Sequence, residues 1–134
     1  MKIECIDHIG IAVKNLALTS KFYTEILGLS VHGIEEVEEQ KAKVAFLTIT
    51  DSEIELLEST DSDGTISRYI DKKGEGIHHI AFRVEDIEEA LSELKTKNIR
   101  LIDEKPRIGA ENAKIAFIHP KETNGVLIEL CQRD

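Results

Sequence analysis

Two histidines and two glutamates occupy matching places in the two halves of the 134-residue chain. His8 and His79 lie 71 residues apart, each in a segment rich in Ile and small residues. Glu55 and Glu129 lie 74 residues apart, each in an Ile-Glu-Leu segment. Imidazole nitrogens and carboxylate oxygens form a mixed donor set that suits divalent Zn, Co, Ni or Mn, with positions left for water or substrate. The four residues are therefore candidate ligands of one metal ion.

A structural role is the alternative for each of these residues. A single histidine or glutamate on a strand more often satisfies packing or hydrogen bonding than binds a metal, and short motifs match by chance. The repetition of both residue types at nearly one spacing argues against coincidence. Two carboxylates buried on a sheet without a cation would also cost several kcal/mol. These two arguments favour the metal site.

The elements that must position these residues follow one order in both halves. Residues 3–13 and 77–84 alternate in character, which predicts a strand around each histidine. Apolar residues at helical spacing follow each strand, after the N-cap residues Asn15 and Asp86, and the first helix is expected to end at Gly28. Further strands are predicted over residues 30–36, 43–50, 53–59, 100–104, 113–119 and 126–132.

Alternation along the strands places each histidine on a face with small side chains. His8 shares its face with Gly10 and Ala12, and His79 shares its face with Ala81, while the opposite faces are apolar and suited to be covered by helices. Two such modules related by an approximate two-fold axis would bring the two histidines and two glutamates together in a concavity. The sequence therefore predicts an α+β protein of two βαβββ modules that form a cupped mixed sheet around a metal site.

The chain is expected to form one domain over residues 1–134. Module one covers about residues 1–59 and module two about residues 77–134, with a joint over about 60–76 that carries a short helix. Neither module has enough apolar residues for a stable core of its own, so the two are expected to pack together.

The composition excludes several classes of function. The hydrophobic fraction of 41% excludes wholesale disorder, and no apolar run approaches about 18 residues, so no membrane span is expected. The formal net charge is −9 and no basic stripe is visible, which argues against a nucleic-acid partner. The first residues lack a signal-peptide pattern, and Cys5 and Cys131 fit reduced thiols. We therefore expect a cytoplasmic protein.

The duplicated His and Glu strands resemble the vicinal oxygen chelate superfamily, which includes glyoxalase I and extradiol dioxygenases. Several segments further resemble the methylmalonyl-CoA epimerase family, over residues 7–13, 39–40, 54–58, 74–82, 106–109, 119–121 and 125–130. The resemblance implies a divalent metal held at His8, Glu55, His79 and Glu129, an acyl-CoA substrate and a homodimer. The implied reaction is epimerisation at the carbon between the carboxylate and the thioester of methylmalonyl-CoA.

One position departs from the epimerase pattern. Inversion at carbon requires a base on one face and an acid on the other, and Glu129 is the first choice for one of them. Some members of the family carry a second catalytic glutamate a few residues after the Glu39-Gln40 pair, where this chain has Val44. Because valine cannot transfer a proton, we hypothesise that Glu55 serves the opposite face.

Two other functions are compatible with the same fold. Glyoxalase I uses a similar His and Glu set for proton transfer beside a carbonyl, with a glutathione hemithioacetal as substrate, and the four ligands do not separate it from an epimerase. Residues 106–109 and 119–121 favour the CoA thioester. The third function is that of a metal-free protein that binds small molecules or drugs in the same cup. It is disfavoured because an apolar cavity gains nothing from two carboxylates.

Overall fold

The computed structural model describes the whole chain, residues 1–134. The α-helices are α1 (Leu16–Lys21), α2 (Thr65–Lys73) and α3 (Ile87–Thr96). The strands are β1 (Ile3–Ala12), β2 (Val31–Val37), β3 (Ala42–Ile49), β4 (Ser52–Ser59), β5 (Gly76–Val84), β6 (Arg107–Ile108), β7 (Lys114–Ile118) and β8 (Ile128–Gln132). A π-helical turn covers Phe22–Ile26, and 3₁₀ turns cover Glu38–Gln40, Ala110–Asn112 and Pro120–Glu122. None of the helices has the length and apolar character needed to cross a membrane.

The chain divides into two compact units. We call residues 8–78 the N-terminal unit, and residues 1–7 together with 79–134 the C-terminal unit. The strand order is β2-β3-β4-β1 in the N-terminal unit and β5-β8-β7-β6 in the C-terminal unit. In each, one pair is parallel, β1 with β4 and β5 with β8, and the other neighbours are antiparallel. Strand, helix and three strands follow one another twice along the chain, which confirms the predicted α+β class and its βαβββ repeat.

The core of the N-terminal unit lies under α1. The helix begins after Asn15, whose side-chain oxygen accepts a hydrogen bond from the Leu18 N–H at 2.9 Å, as the predicted N-cap requires. Its first residue, Leu16, belongs to a buried cluster with Val13, which follows β1, and with residues of β3 and β4: Ala45, Leu47 and Leu56. The apolar face predicted for the His8 strand therefore does meet the helix.

The first helix changes type before it ends. After Lys21 the chain forms the π turn, in which the Leu27 N–H donates to the Phe22 carbonyl, five residues back, at 3.1 Å. Gly28 follows with φ of 76°, a left-handed conformation that favours glycine. The predicted end of the helical segment is confirmed, whereas its last turns are wider than the α-helix the spacing predicts.

The core of the C-terminal unit lies under α3. Asp86 caps this helix, since its Oδ1 accepts a hydrogen bond from the Glu89 N–H at 3.1 Å. The buried cluster comprises Val84, Ile87, Ala90, Leu91, Ala116 and Leu130. The apolar face predicted for the His79 strand is confirmed here in the same way, and α2 supplies the short helix predicted in the joint.

The strand predicted over residues 100–104 is wrong. Leu101 makes only an isolated bridge to Ile118, and the edge strand is β6, Arg107–Ile108. The reason is that a side chain replaces the backbone ladder: the Phe117 N–H donates to Asp103 Oδ2 at 2.9 Å. The Phe117 carbonyl in turn accepts from the N–H groups of both Ile102 and Asp103. A local carboxylate thus competes with strand pairing at this point.

Candidate metal-binding site

The N-terminal unit holds one of the predicted donor pairs. His8 lies on β1, and Glu55 lies on the neighbouring parallel strand β4. Glu55 faces Gly10 in the strand register, two residues beyond His8, so its carboxylate reaches the imidazole diagonally. The distance from His8 Nδ1 to Glu55 Oε2 is 3.2 Å, and each side chain is 5% exposed.

The C-terminal unit holds the second pair in the same arrangement. His79 lies on β5 and Glu129 on the parallel strand β8, where Glu129 faces Ala81. The distance from His79 Nε2 to Glu129 Oε1 is 3.4 Å, and both side chains are buried. Gly10 and Ala81 therefore stand at equivalent positions, and their small size leaves room for the diagonal contact.

Each pair offers the donors of half a metal site. A neutral imidazole supplies a nitrogen and the carboxylate supplies an oxygen, a combination that fits borderline divalent metals. Burial removes each carboxylate from water at a cost that a bound cation offsets. The structure thus brings His8 to Glu55 and His79 to Glu129. The single centre that would unite both pairs stays a prediction.

Two phenylalanines outside the repeated His and Glu motifs line these pairs. Phe46 lies opposite Glu55 in the β3–β4 register, and Phe117 lies opposite Glu129 in the β7–β8 register. The Phe117 ring meets the His79 imidazole edge-on, with centroids 5.8 Å apart. The signal was present in the sequence, because residues 43–46 (KVAF) and 114–117 (KIAF) repeat at the same spacing of 71 residues as the histidines.

Several polar side chains lie near Phe46 in the N-terminal unit. The His32 ring stacks on Phe46 with centroids 5.7 Å apart, and its Nδ1 is 2.5 Å from Thr48 Oγ1. Its Nε2 lies 3.2 Å from Glu53 Oε2, on the strand that carries Glu55. His32 is thereby placed on the same face as the donor pair, which its sequence neighbours did not indicate.

The residue in the place of the second catalytic glutamate is apolar and buried. Val44 is 1% exposed on β3 and pairs with Leu57 on β4. It lies two residues from Phe46 and so shares a face with Phe46 and Glu55. The site face of the N-terminal unit therefore has no proton-transferring group at residue 44.

The histidine next to His79 has a different environment. The His78 ring meets the Tyr69 ring edge-on at 5.0 Å, and the Tyr69 hydroxyl donates to the Ile77 carbonyl at 2.6 Å. Burial, with a smaller contribution from the charge of Lys73, lowers the pKa of His78 to about 4. A neutral ring packed against Tyr69 of α2 gives His78 a structural role.

A buried ion cluster surrounds Asp7, the residue that precedes His8 on β1. The Asp7 carboxylate is fully buried and accepts hydrogen bonds from Arg83 Nε and from Arg133 Nε and Nη2, all at 2.8 Å. The hydrogen bond to Asp7 is the main reason that the pKa of each arginine is raised. Burial, with the charges of Asp7 and Glu129, raises the pKa of the Cys131 thiol. Cys131 is therefore a protonated thiol and no activated nucleophile.

A protein-family model covers most of the chain. Residues 7–117 match the glyoxalase/bleomycin resistance protein/dioxygenase superfamily. This match agrees with the repeated βαβββ order and with the repeated His–Glu pairs. The chain therefore belongs to this superfamily.

Proteins of similar sequence and structure indicate which family within this superfamily the chain belongs to. YqjC of Bacillus subtilis, a protein of uncharacterised function, is 46% identical over 127 residues, which are 95% of this chain and 91% of that protein. The human mitochondrial methylmalonyl-CoA epimerase is 37% identical over 128 residues, 95% of this chain and 73% of that protein. A solved methylmalonyl-CoA epimerase in complex with methylmalonyl-CoA and NH4+ superposes with a TM-score of 0.94 at 38% identity, over 98% of this chain and 95% of that one. Within the superfamily, the chain belongs to the methylmalonyl-CoA epimerase family.

Proposed function

We propose that this protein is a metal-dependent epimerase that interconverts the R and S forms of methylmalonyl-CoA. The observation that carries the proposal is the repeated buried pair, His8 with Glu55 and His79 with Glu129. It occurs in a chain that shares 38% identity with an epimerase solved in complex with methylmalonyl-CoA. The substrate is therefore an acyl-CoA whose α-carbon carries an acidic proton.

The four residues of the two pairs would hold a divalent metal. Their two imidazoles and two carboxylates fit Co, Mn, Ni or Zn. When bound, such an ion stabilises negative charge on substrate oxygens as a Lewis acid. This stabilisation matters because loss of the α-proton places charge on the thioester and carboxylate oxygens.

The two glutamates would move the proton. One carboxylate takes the α-proton as the C–H bond breaks, and the electron pair passes into the thioester carbonyl. The other, protonated, glutamate returns a proton to the opposite face, which inverts the carbon. We assign these roles to Glu129 and Glu55. Each carboxylate has two oxygens, so one can hold a cation while the other exchanges a proton.

Two features support Glu55 as the second group. It occupies the position in the N-terminal unit that Glu129 occupies in the C-terminal unit, since each faces a small residue on the parallel neighbour strand. The alternative position, residue 44, holds a buried valine. The burial of both glutamates also keeps bulk water away from the carbanion-like carbon.

Solvent-deuterium incorporation tests the proposal. Methylmalonyl-CoA is incubated with the protein in D2O, with added Co²⁺ and after chelation. We expect exchange at the α-carbon that requires the metal. If no exchange occurs with Co²⁺, Mn²⁺, Ni²⁺ or Zn²⁺, the proposed epimerase activity is refuted. Turnover of the hemithioacetal of methylglyoxal and glutathione would then identify a glyoxalase I.

The same family relation supports a proposal for the assembly. We expect a homodimer within the cytoplasm, formed by chains that each fold as one domain over residues 1–134. Sedimentation velocity measures the oligomeric state, and a monomer at micromolar concentration would contradict the dimer.

A further inference from the structure

Arg107 places its guanidinium group over the phenylalanine ring that contacts His79 of the C-terminal donor pair. It lies on the edge strand β6 and pairs with Ile115 of β7. Its guanidinium carbon lies 5.4 Å from the centroid of the Phe117 ring, a cation–π contact. The same ring meets the His79 imidazole edge-on, with centroids 5.8 Å apart. One aromatic ring therefore connects the guanidinium to a proposed metal ligand.

A carboxylate fixes the guanidinium in this place. Asp103 Oδ1 lies 3.3 Å from Arg107 Nε. The other oxygen of Asp103 accepts the hydrogen bond from the Phe117 N–H at 2.9 Å. Asp103 is thus anchored to the strand that carries the ring, and it holds the guanidinium by its Nε edge. The arginine is oriented before any ligand arrives, which lowers the entropy cost of binding.

The Arg107 side chain is partly open to solvent. The contact with Asp103 is made through Nε, and the guanidinium carbon lies over the Phe117 ring. The side chain is 42% exposed. Two parallel N–H donors in a planar fork match the two oxygens of a carboxylate or a phosphate.

We propose that Arg107 binds an anionic oxygen group of the substrate, and so sets which thioesters the site accepts. The inference rests on the proposed function, because it takes methylmalonyl-CoA as the ligand. That molecule offers two sources of such a group, the carboxylate of its acyl part and the phosphates of CoA. In the C-terminal unit, the Phe117 ring contacts both Arg107 and His79. In the N-terminal unit, the corresponding ring of Phe46 stacks with His32. The anion is therefore bound by the C-terminal unit.

Calorimetric binding to three probes tests the proposal and separates the two sources. The probes are methylmalonyl-CoA, propionyl-CoA, which lacks the carboxylate, and methylmalonyl-pantetheine, which lacks the phosphates. We expect Arg107→Met to weaken methylmalonyl-CoA binding by about 10- to 100-fold. If the carboxylate is the group, propionyl-CoA binds both proteins equally. If a phosphate is the group, methylmalonyl-pantetheine binds both proteins equally.

Matched variants separate binding from folding. Arg107→Lys keeps the charge without the fork and should give an intermediate loss, and Asp103→Asn should release the guanidinium and weaken binding less than Arg107→Met. Arg100→Met removes an exposed arginine elsewhere in the same unit and should change nothing. The kinetic signature is a raised KM with kcat little changed.

Two results would overturn the inference, and they differ from each other. Equal binding of all three probes by wild type and Arg107→Met, in an active wild-type enzyme, refutes Arg107 alone. A wild type that binds none of the probes and exchanges no α-proton refutes the proposed function together with this inference.

Discussion

Glu129 lies directly opposite Phe117 in the antiparallel register of β7 and β8. The Phe117 ring also contacts the imidazole of His79, the histidine that pairs with Glu129. The strand next to Glu129 therefore packs against this histidine. Glu55 has the same relation to Phe46. Rings held by neighbouring strands limit how far such side chains can rotate, which is the preorganisation that metal binding and proton transfer require.

Changing each glutamate to an amide is expected to abolish proton exchange with a different epimer. Glu129→Gln should lower epimerisation by about 10²- to 10⁴-fold because an amide cannot accept the α-proton. Glu55→Gln should do the same from the opposite face. The measurement is deuterium exchange from each separate epimer, and each variant should keep exchange with one epimer and lose it with the other.

The control for these variants is Glu36→Gln, which changes an exposed carboxylate on β2. It should leave exchange of both epimers unchanged. Full epimerase activity in Glu55→Gln would exclude Glu55 as the second group while leaving Glu129 in its role.

Metal binding is expected to stabilise the fold. At a free Co²⁺ concentration about 100 times the Kd, the gain is about 2.7 kcal/mol, seen as a rise in Tm. His8→Ala and His79→Ala should each abolish most of the rise because each removes a donor. His119→Asn is the matched control, since His119 accepts a hydrogen bond from the Lys121 N–H, which Asn can also accept. A Tm that does not respond to any of the four metals would contradict the metal site.

Removing the carboxylate from the buried ion cluster is expected to destabilise the fold strongly. Asp7→Asn leaves Arg83 and Arg133 without their shared negative partner, and breaking a buried pair in this way costs about 3 kcal/mol. Urea denaturation measures the loss, with Asp134→Asn as the control for an exposed carboxylate. A loss under about 1 kcal/mol would show that the arginines find other partners.

The two cysteines are expected to differ in alkylation. Cys131 is fully buried with a raised thiol pKa, whereas Cys5 is only half-buried. Iodoacetamide should modify Cys5 and leave Cys131 untouched in the folded protein. Because the folded pKa of Cys131 lies above its unfolded value of 9.0, this thiol favours the folded state less as pH rises past 9.0. Alkylation of Cys131 at the rate of Cys5 would disprove its burial.

The paired donors could be predicted because they repeat along the chain. His8 and His79 share a spacing, a strand pattern and small neighbours two residues on, and these features are local to the sequence. The diagonal contact with Glu55 or Glu129 then follows from pairing the first and last strand of each module.

Other contacts could not be predicted because they depend on distant or competing side chains. Arg133 meets Asp7 across 126 residues of sequence, and no local pattern marks that encounter. The strand over residues 100–104 failed because Asp103 binds the Phe117 N–H with its side chain, an outcome that strand propensity does not encode.

The parallel pairing of β1 with β4, and of β5 with β8, has a consequence for how the protein matures. Each His–Glu pair joins the first strand of a βαβββ segment to the last, so its contact closes a long loop. The entropy cost of closing this loop arises before the stabilising contacts between the paired strands form. During synthesis, His8 emerges from the ribosome well before Glu55, and no complete donor pair exists until the closing strand has docked. The proposed metal binding by a pair would thus be delayed until its own segment has folded.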